Sequence, residues 1–242
     1  MLARRLLWSL GLLLGPTTAL AQAPASPTGF TIVDDTEPPP PLVPRAPDTL
    51  GGHFVLGGSA LASAPFGELQ NGYSAQDLGA GFGGMLDLGI GLSRVISIGV
   101  WGEGLAYSSS SACRYWPHPL SNPQNLSRDP CSALSFTVGP FVRYHLLQGM
   151  RLDPWILIGP GYRVLTQDTP AGPKTYAGVD YLHVAIGGDY YLTSGLGIGP
   201  WVALDGGVFA KRPNPFLGPS VKTSWHTEFV AGLRVVLDIP GK

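Results

Sequence analysis

The sequence predicts an all-β chain, a closed antiparallel eight-stranded transmembrane β-barrel in up-and-down meander order. Three observations carry this. Apolar residues alternate with small or polar ones through most of the chain, the period-two signature of strands with two unlike faces. The connections between the alternating segments are strictly short and long in turn, as in barrels with tight turns at one end and longer loops at the other. Lys174, Lys211, Lys222 and Lys242 all fall between segments or at the terminus, whereas a water-facing barrel exterior carries lysine along its strands.

Composition agrees. The 242 residues are 44% hydrophobic and only 13% charged, against about 25% charged in an average soluble domain. The formal net charge of -1 offers no electrostatic footprint for nucleic acid. At the start, Arg4 and Arg5 precede a short apolar run at 6–14 and the small-x-small site Ala19-Leu20-Ala21. This pattern is expected of a secretory signal peptide, residues 1–21. Gln22 rather than Cys follows the cut, so a lipid-anchored N-terminus is not expected.

Residues 22–50 are proline-rich, with an unbroken proline run at 38–41. Such a stretch favours extended polyproline geometry and is expected to be a flexible N-terminal segment. The barrel is expected over 51–240, with strands near 53–62, 78–92, 95–107, 133–147, 154–166, 176–193, 196–210 and 223–239. Tight turns fall at 93–94, 148–150 and 194–195, and long connections at 63–77, 108–132, 167–175 and 211–222. The last segment has a greasy face of Trp225, Thr227, Phe229, Ala231, Leu233, Val235, Leu237 and Ile239. Matching lipid faces are Leu78, Ala80, Phe82, Gly84, Leu86, Leu88 and Ile90 in the second segment, and Leu134 to Leu146 by twos in the fourth. Tyr144, Tyr190 and Trp225 lie near segment ends, where amphipathic rings suit a membrane interface. Gly139-Pro140, Gly159-Pro160 and Gly199-Pro200 interrupt three strands. A proline removes a ladder donor and a closed barrel has no free edge, so β-bulges are expected at all three.

The opposite faces collect an interior polar network: Asp87, Glu103, Arg143, Arg163, His183, Asp189, Asp205, His226, Glu228 and Arg234, with His145 beside them. In so small a barrel, side chains fill the inside. A packed plug is the first expectation and a narrow pore the second. Cys113 and Cys131, in an exported chain, are expected to close the longest loop as a disulfide worth roughly 3 kcal/mol. Two thiols and His118 lack structural-zinc spacing, so no metal is expected, and no cofactor. Gly79-x-Gly81-x-x-Gly84 matches a dinucleotide fingerprint in letters, but a strand follows it rather than a helix. Asn125-Leu126-Ser127 is a glycosylation sequon in letters, without meaning if the host is bacterial.

Ser224, His226 and Glu228 share one face, and those residue types can form a nucleophile, base and orienter. Same-face neighbours on a strand lie roughly 7 Å apart, too far for direct triad contact. Outer-membrane lipid A deacylases use the same types in the order His-x-Ser with Glu further on, whereas this chain reads Ser-x-His-x-Glu. No catalytic residue is expected. Over about 51–240 the chain resembles bacterial outer-membrane β-barrel proteins of the OmpA/OmpX-like type. The resemblance implies recognition of the last strand by the barrel-assembly machinery. Gly232-x-x-Val235-x-Leu237 fits that signal, and the ending Ile239-Pro240-Gly241-Lys242 departs from the family's terminal aromatic. The function expected is a non-enzymatic structural or surface-interacting outer-membrane protein. A narrow channel and a lipid A-modifying enzyme are the alternatives. Its expected partners are outer-membrane lipid, the assembly machinery and an external ligand met by long loops such as the one holding Tyr115-Trp116-Pro117.

Overall fold

The computed structural model of the chain describes residues 43–70, 73–74, 78–108, 132–168, 173–211 and 223–241. Among them run the strands β1 (Phe54–Gln70), β2 (Tyr73–Ser74), β3 (Gly81–Gly91), β4 (Ile96–Tyr107), β5 (Ala133–His145), β6 (Leu152–Gln167), β7 (Lys174–Thr193), β8 (Leu196–Lys211) and β9 (Ser224–Ile239). Eight long strands pair antiparallel with their sequence neighbours, and β1 closes onto β9 from Phe54↔Ile239 to Gly67↔His226. This is the closed eight-stranded meander. The two-residue β2 only folds back on the far end of β1. The expected signal peptide, residues 22–42 and the Cys113–Cys131 disulfide lie outside the described residues.

Alternation becomes two surfaces. In β5, burial alternates without exception from Ala133 to His145. Inward go Ser135, Thr137, Phe141 and Arg143; outward go Leu134, Phe136, Val138, Val142 and Tyr144. Across the barrel, Leu86, Leu88, Ile158, Ile186, Leu233 and Leu237 stand exposed while Asp87, Arg143, Asp205 and Arg234 are buried. A water-soluble barrel has the reverse arrangement. A continuous apolar exterior over a closed hydrogen-bonded wall is what hydrocarbon permits, so the barrel is a transmembrane one. Tyr190, paired beside Leu152, and Tyr162 bracket the greasy band. The ten residues of β6 separating those levels, tilted by about 40°, make a band about 25 Å tall.

Three expectations are corrected. The first strand does not stop near 62. It runs on to Gln70, pairing with β9 through Ala64↔Phe229, Pro65↔Glu228 and Phe66↔Thr227. Pro65 is tolerated because β3 begins only at Gly81, opposite Ser63, so beyond it the other edge of β1 is free of the β3 ladder. Leu78 precedes β3 and is buried with Leu61, Tyr107 and Phe209 rather than facing lipid. Lys174 and Lys211 are the first residue of β7 and the last of β8, not loop residues.

Of the three expected bulges, one forms. The register shifts between Gly159 and Gly161, where β7 carries an extra residue against β6. At Gly139-Pro140 and Gly199-Pro200 the ladder is interrupted on one side without a slip. Val138↔Tyr162 and Val142↔Ile158 keep one register, which sets Pro140 opposite Pro160. The two missing donors thus coincide in a single gap. Pro200 pairs in register with Leu233 of β9 and leaves its gap toward β7.

The boundary expected at residue 50 also moves. Residues 43–52 cross the short-turn end as a strap. Ala46 N donates to Met150 O (2.9 Å), Gln148 Nε2 to Pro47 O (2.6 Å), and Gly52 N to Gly91 O (2.9 Å). Ala46 and Leu50, each 1% exposed, pack with Val55, Tyr191 and Val236. A Cβ on Gly91 would overlap the Leu50 carbonyl, so the strap's seat requires glycine there. Burying a leucine contributes about 2 kcal/mol. Leu50→Ala is therefore expected to speed amide exchange at Ala46 and Gly52 by about 30-fold while β5 amides keep their protection. Unchanged exchange at both strap amides would show that Leu50 is not the anchor.

Candidate functional site

The chemistry of the chain lies inside the barrel, in layers set by strand register. All ten residues of the expected network face inward and are buried, as is His145. They form two separate ion clusters rather than one.

Nearer the long-loop end, Arg163 of β6 is the centre. Its Nε donates to Asp180 Oδ2 (2.8 Å), its Nη2 to Asp205 Oδ2 (2.9 Å), and its Nη1 to Glu228 Oε2. Glu103 Oε1 lies 3.9 Å from Nη2, an ion pair without a hydrogen bond. Tyr107 OH donates to Glu228 Oε1 (2.7 Å). Two histidines extend the cluster. His183 Nδ1 is 2.5 Å from Asp205 Oδ1, and His226 Nε2 is 2.6 Å from Asp180 Oδ1. One guanidinium thus faces four carboxylates, two of which also hold an imidazole. Pairing and hydrogen bonds of this kind are what let Asp180, Asp205 and Glu228 stay buried, while Glu103 has the ion pair alone.

Toward the short-turn end, Arg143 and Arg234 share Asp87, and Arg234 Nη1 also donates to Asp189 Oδ2 (2.5 Å). Two arginines meet two aspartates, so this cluster balances. Arg143 lies 4.9 Å from the centroids of Phe141 and of Trp155, and Arg234 lies 5.5 Å from Trp155. Trp101, stacked on His183 at 4.1 Å, and Trp201 are buried in the same interior. Below this, His145 Nδ1 meets Asp153 Oδ2 and His53 Nδ1 meets Asp238 Oδ1, each at 2.6 Å.

The Ser224, His226 and Glu228 trio does not assemble as a triad. His226 gives Nε2 to Asp180 and stacks on Phe209 at 4.2 Å. Glu228 is held by Arg163 and Tyr107. Ser224 is buried at the start of β9. A cavity of about 20 Å³ lies here, lined by Tyr107, Arg163, Leu165, Phe209, His226 and Glu228 among others. That is room for about one water. Among the described residues, carboxylate oxygens of Glu103, Asp205 and Glu228 lie within 4.8 Å of one another, close enough to share a cation. The Arg163 guanidinium already stands among them, and a metal would have to displace it.

Asp180 was hidden from strict alternation. On the parity of His183 and Asp189 it faces lipid. The extra residue in β7 flips that parity, so Asp180 points in while Tyr181 and Leu182 both point out. The signal available was the chemistry itself: an aspartate does not face hydrocarbon, and two large apolar neighbours cannot both face an ion cluster. Asp153 was missed because it precedes the expected strand start. Asp238 lies on the charged face of the last strand, and His53 at the edge of the first.

No protein-family model matches the chain, and the search of curated proteins returned no match. Similar solved structures include Neisserial surface protein A, at 16% identity, covering 76% of this chain and 97% of that one with a TM-score of 0.47. The outer membrane protein OprG from Pseudomonas aeruginosa is 9% identical, covering 80% and 98%, with a TM-score of 0.48. The outer membrane protein AlkL in lipid bilayers is 13% identical, covering 91% and 96%, with a TM-score of 0.44. By its own closure, strand order and greasy exterior, this chain is a small eight-stranded barrel of the outer-membrane type.

Proposed function

We propose that the chain is an integral outer-membrane protein with a structural or surface-interacting role, its interior a plug rather than a channel. The observation that carries this reading is the layer of Arg143, Arg234 and Asp87 packed against Trp155, with each of these side chains at most 1% exposed. Eight strands enclose only enough width for side chains, and this layer spends that width on a charge-balanced pair of arginines and aromatic rings. The short-turn end, with the strap and the segment before it, faces the periplasm, and the long connections face outward. Its partners are then outer-membrane lipid, the barrel-assembly machinery acting on β9, and an external ligand met by the long connections. The role is non-enzymatic, since His226 and Glu228 are committed to Asp180, Arg163 and Tyr107.

Single-channel recording in planar bilayers tests the plug. Purified full-length protein, shown to be folded by a heat-modifiable shift in a detergent gel, is expected to give no reproducible open state. A defined unitary conductance would replace the plug with the narrow-pore reading.

A further inference from the structure

We propose that Arg151, at the short-turn rim, is a binding point for the phosphate of an anionic phospholipid head group such as phosphatidylglycerol. This rests on the membrane placement proposed above. Arg151 immediately precedes β6, and its carbonyl accepts from Tyr191 N at 2.8 Å, so its backbone is tied to the wall. Its guanidinium lies over the ring of Tyr190, 4.5 Å from the centroid. Tyr190 is a lipid-facing residue, 39% exposed, on the outer surface of β7. The charge is therefore turned toward the membrane rather than into the lumen.

The surroundings set its depth. Leu147, Met150 and Leu152 are each about half exposed around it, so the guanidinium sits where the greasy band ends and head groups begin. With its carbon over the tyrosine ring, the guanidinium makes no hydrogen bond to the described residues, so its N–H groups are open to two oxygens in a fork, the geometry a phosphate offers. Charge complementarity selects an anion. Among the described residues Arg151 has no ion-pair partner. Among the described residues the exposed charges of this end are Arg45, Asp48, Arg94 and Arg151, and Asp48 is taken by Arg45 at 3.7 Å. Arg94, on the neighbouring turn, adds a second exposed positive charge.

The test reconstitutes the full chain into vesicles of phosphatidylcholine mixed with an equal part of phosphatidylglycerol. It then counts retained lipids by native mass spectrometry after detergent extraction. Wild type is expected to retain phosphatidylglycerol in preference, and Arg151→Gln to reduce that preference about fivefold, the effect of one arginine at an anionic surface. Arg151→Lys, which keeps charge but not the flat fork, is expected to fall between them, and Tyr190→Leu to weaken retention by freeing the side chain. Equal retention by wild type and Arg151→Gln overturns the proposal, as does a wild type without lipid preference. Failure of the wild type to insert, read as no heat-modifiable shift after reconstitution into these vesicles, would instead overturn the membrane placement on which it rests.

Discussion

Arg163→Met is expected to be the most damaging single substitution in the barrel. It removes the one guanidinium among Glu103, Asp180, Asp205 and Glu228, three of which it hydrogen-bonds. Breaking a buried pair by deleting one partner costs about 3–5 kcal/mol, because the other charge stays buried and unpaired. Here several carboxylates are stranded at once. The folded, fast-migrating band in a detergent gel is expected to disappear at temperatures where wild type keeps it. Arg163→Lys keeps the charge but cannot reach three carboxylates with a fork, so its transition should fall between the two. Adding Glu228→Gln to Arg163→Met removes one of the stranded charges and should recover part of the loss. A wild-type transition for Arg163→Met would show that the carboxylates do not depend on the guanidinium. A double variant no better than the single would show that stranded charge is not the cause.

Most of the wall was readable from the sequence, because lipid and lumen impose opposite demands on alternate residues and the sequence answers both along each strand. The greasy face from Trp225 to Ile239 and the charged one from Ser224 to Asp238 reappear as exposed and buried sides of β9. What alternation misses is any place where the count slips. Tyr181 adds a residue to β7, and beyond it every assignment made from His183 backward is reversed. Gly159-Pro160 on the facing strand marked that slip, yet the same dipeptide at 139 and 199 produced none. The difference is in the partner strand: Pro140 meets Pro160, so the ladder loses two donors in one place and needs no shift. Pairing of that kind is a property of two strands together and is not written in either. The strap was hidden for a related reason. Ala46 and Leu50 sit in a proline-rich stretch without periodicity, and their burial depends on Gly91, Gln148 and Met150, all distant in sequence. The ion network follows the same division. Its members were visible as charges on an inward face, while their partners, and the separation into one balanced cluster and one with excess acid, come from register.

Gly57 offers the second large effect, and it tests whether the balanced cluster is as tightly packed as its distances indicate. Gly57 faces inward on β1, opposite Asp87 of β3 and Val236 of β9. A Cβ built there would lie 2.6 Å from Arg234 Nη2 and 2.7 Å from its Nε, and closer still to the Asp87 carboxylate. Side-chain tips of this kind usually swing aside at little cost. These cannot, because Asp87 is held by both Arg143 and Arg234, and Arg234 is also anchored on Asp189. Gly57→Ala is expected to cost about 1–3 kcal/mol as overpacking, and Gly57→Val more, since its branches reach the ion pair itself. Both should lower the temperature of the heat-modifiable transition in that order. Gly104→Ala is the control: a Cβ there meets nothing within 4 Å, and alanine restricts the unfolded chain more than glycine, so its transition should hold or rise slightly. The origin of the clash is separable by a double-mutant cycle. Arg234→Met is damaging alone, because it strands Asp189. In that background, however, Gly57→Ala should cost less, because the Arg234 contacts are gone and Asp87, then held by Arg143 alone, is freer to swing aside. Full additivity of the two substitutions would place the strain on Asp87 or on the backbone instead of on the Arg234 guanidinium.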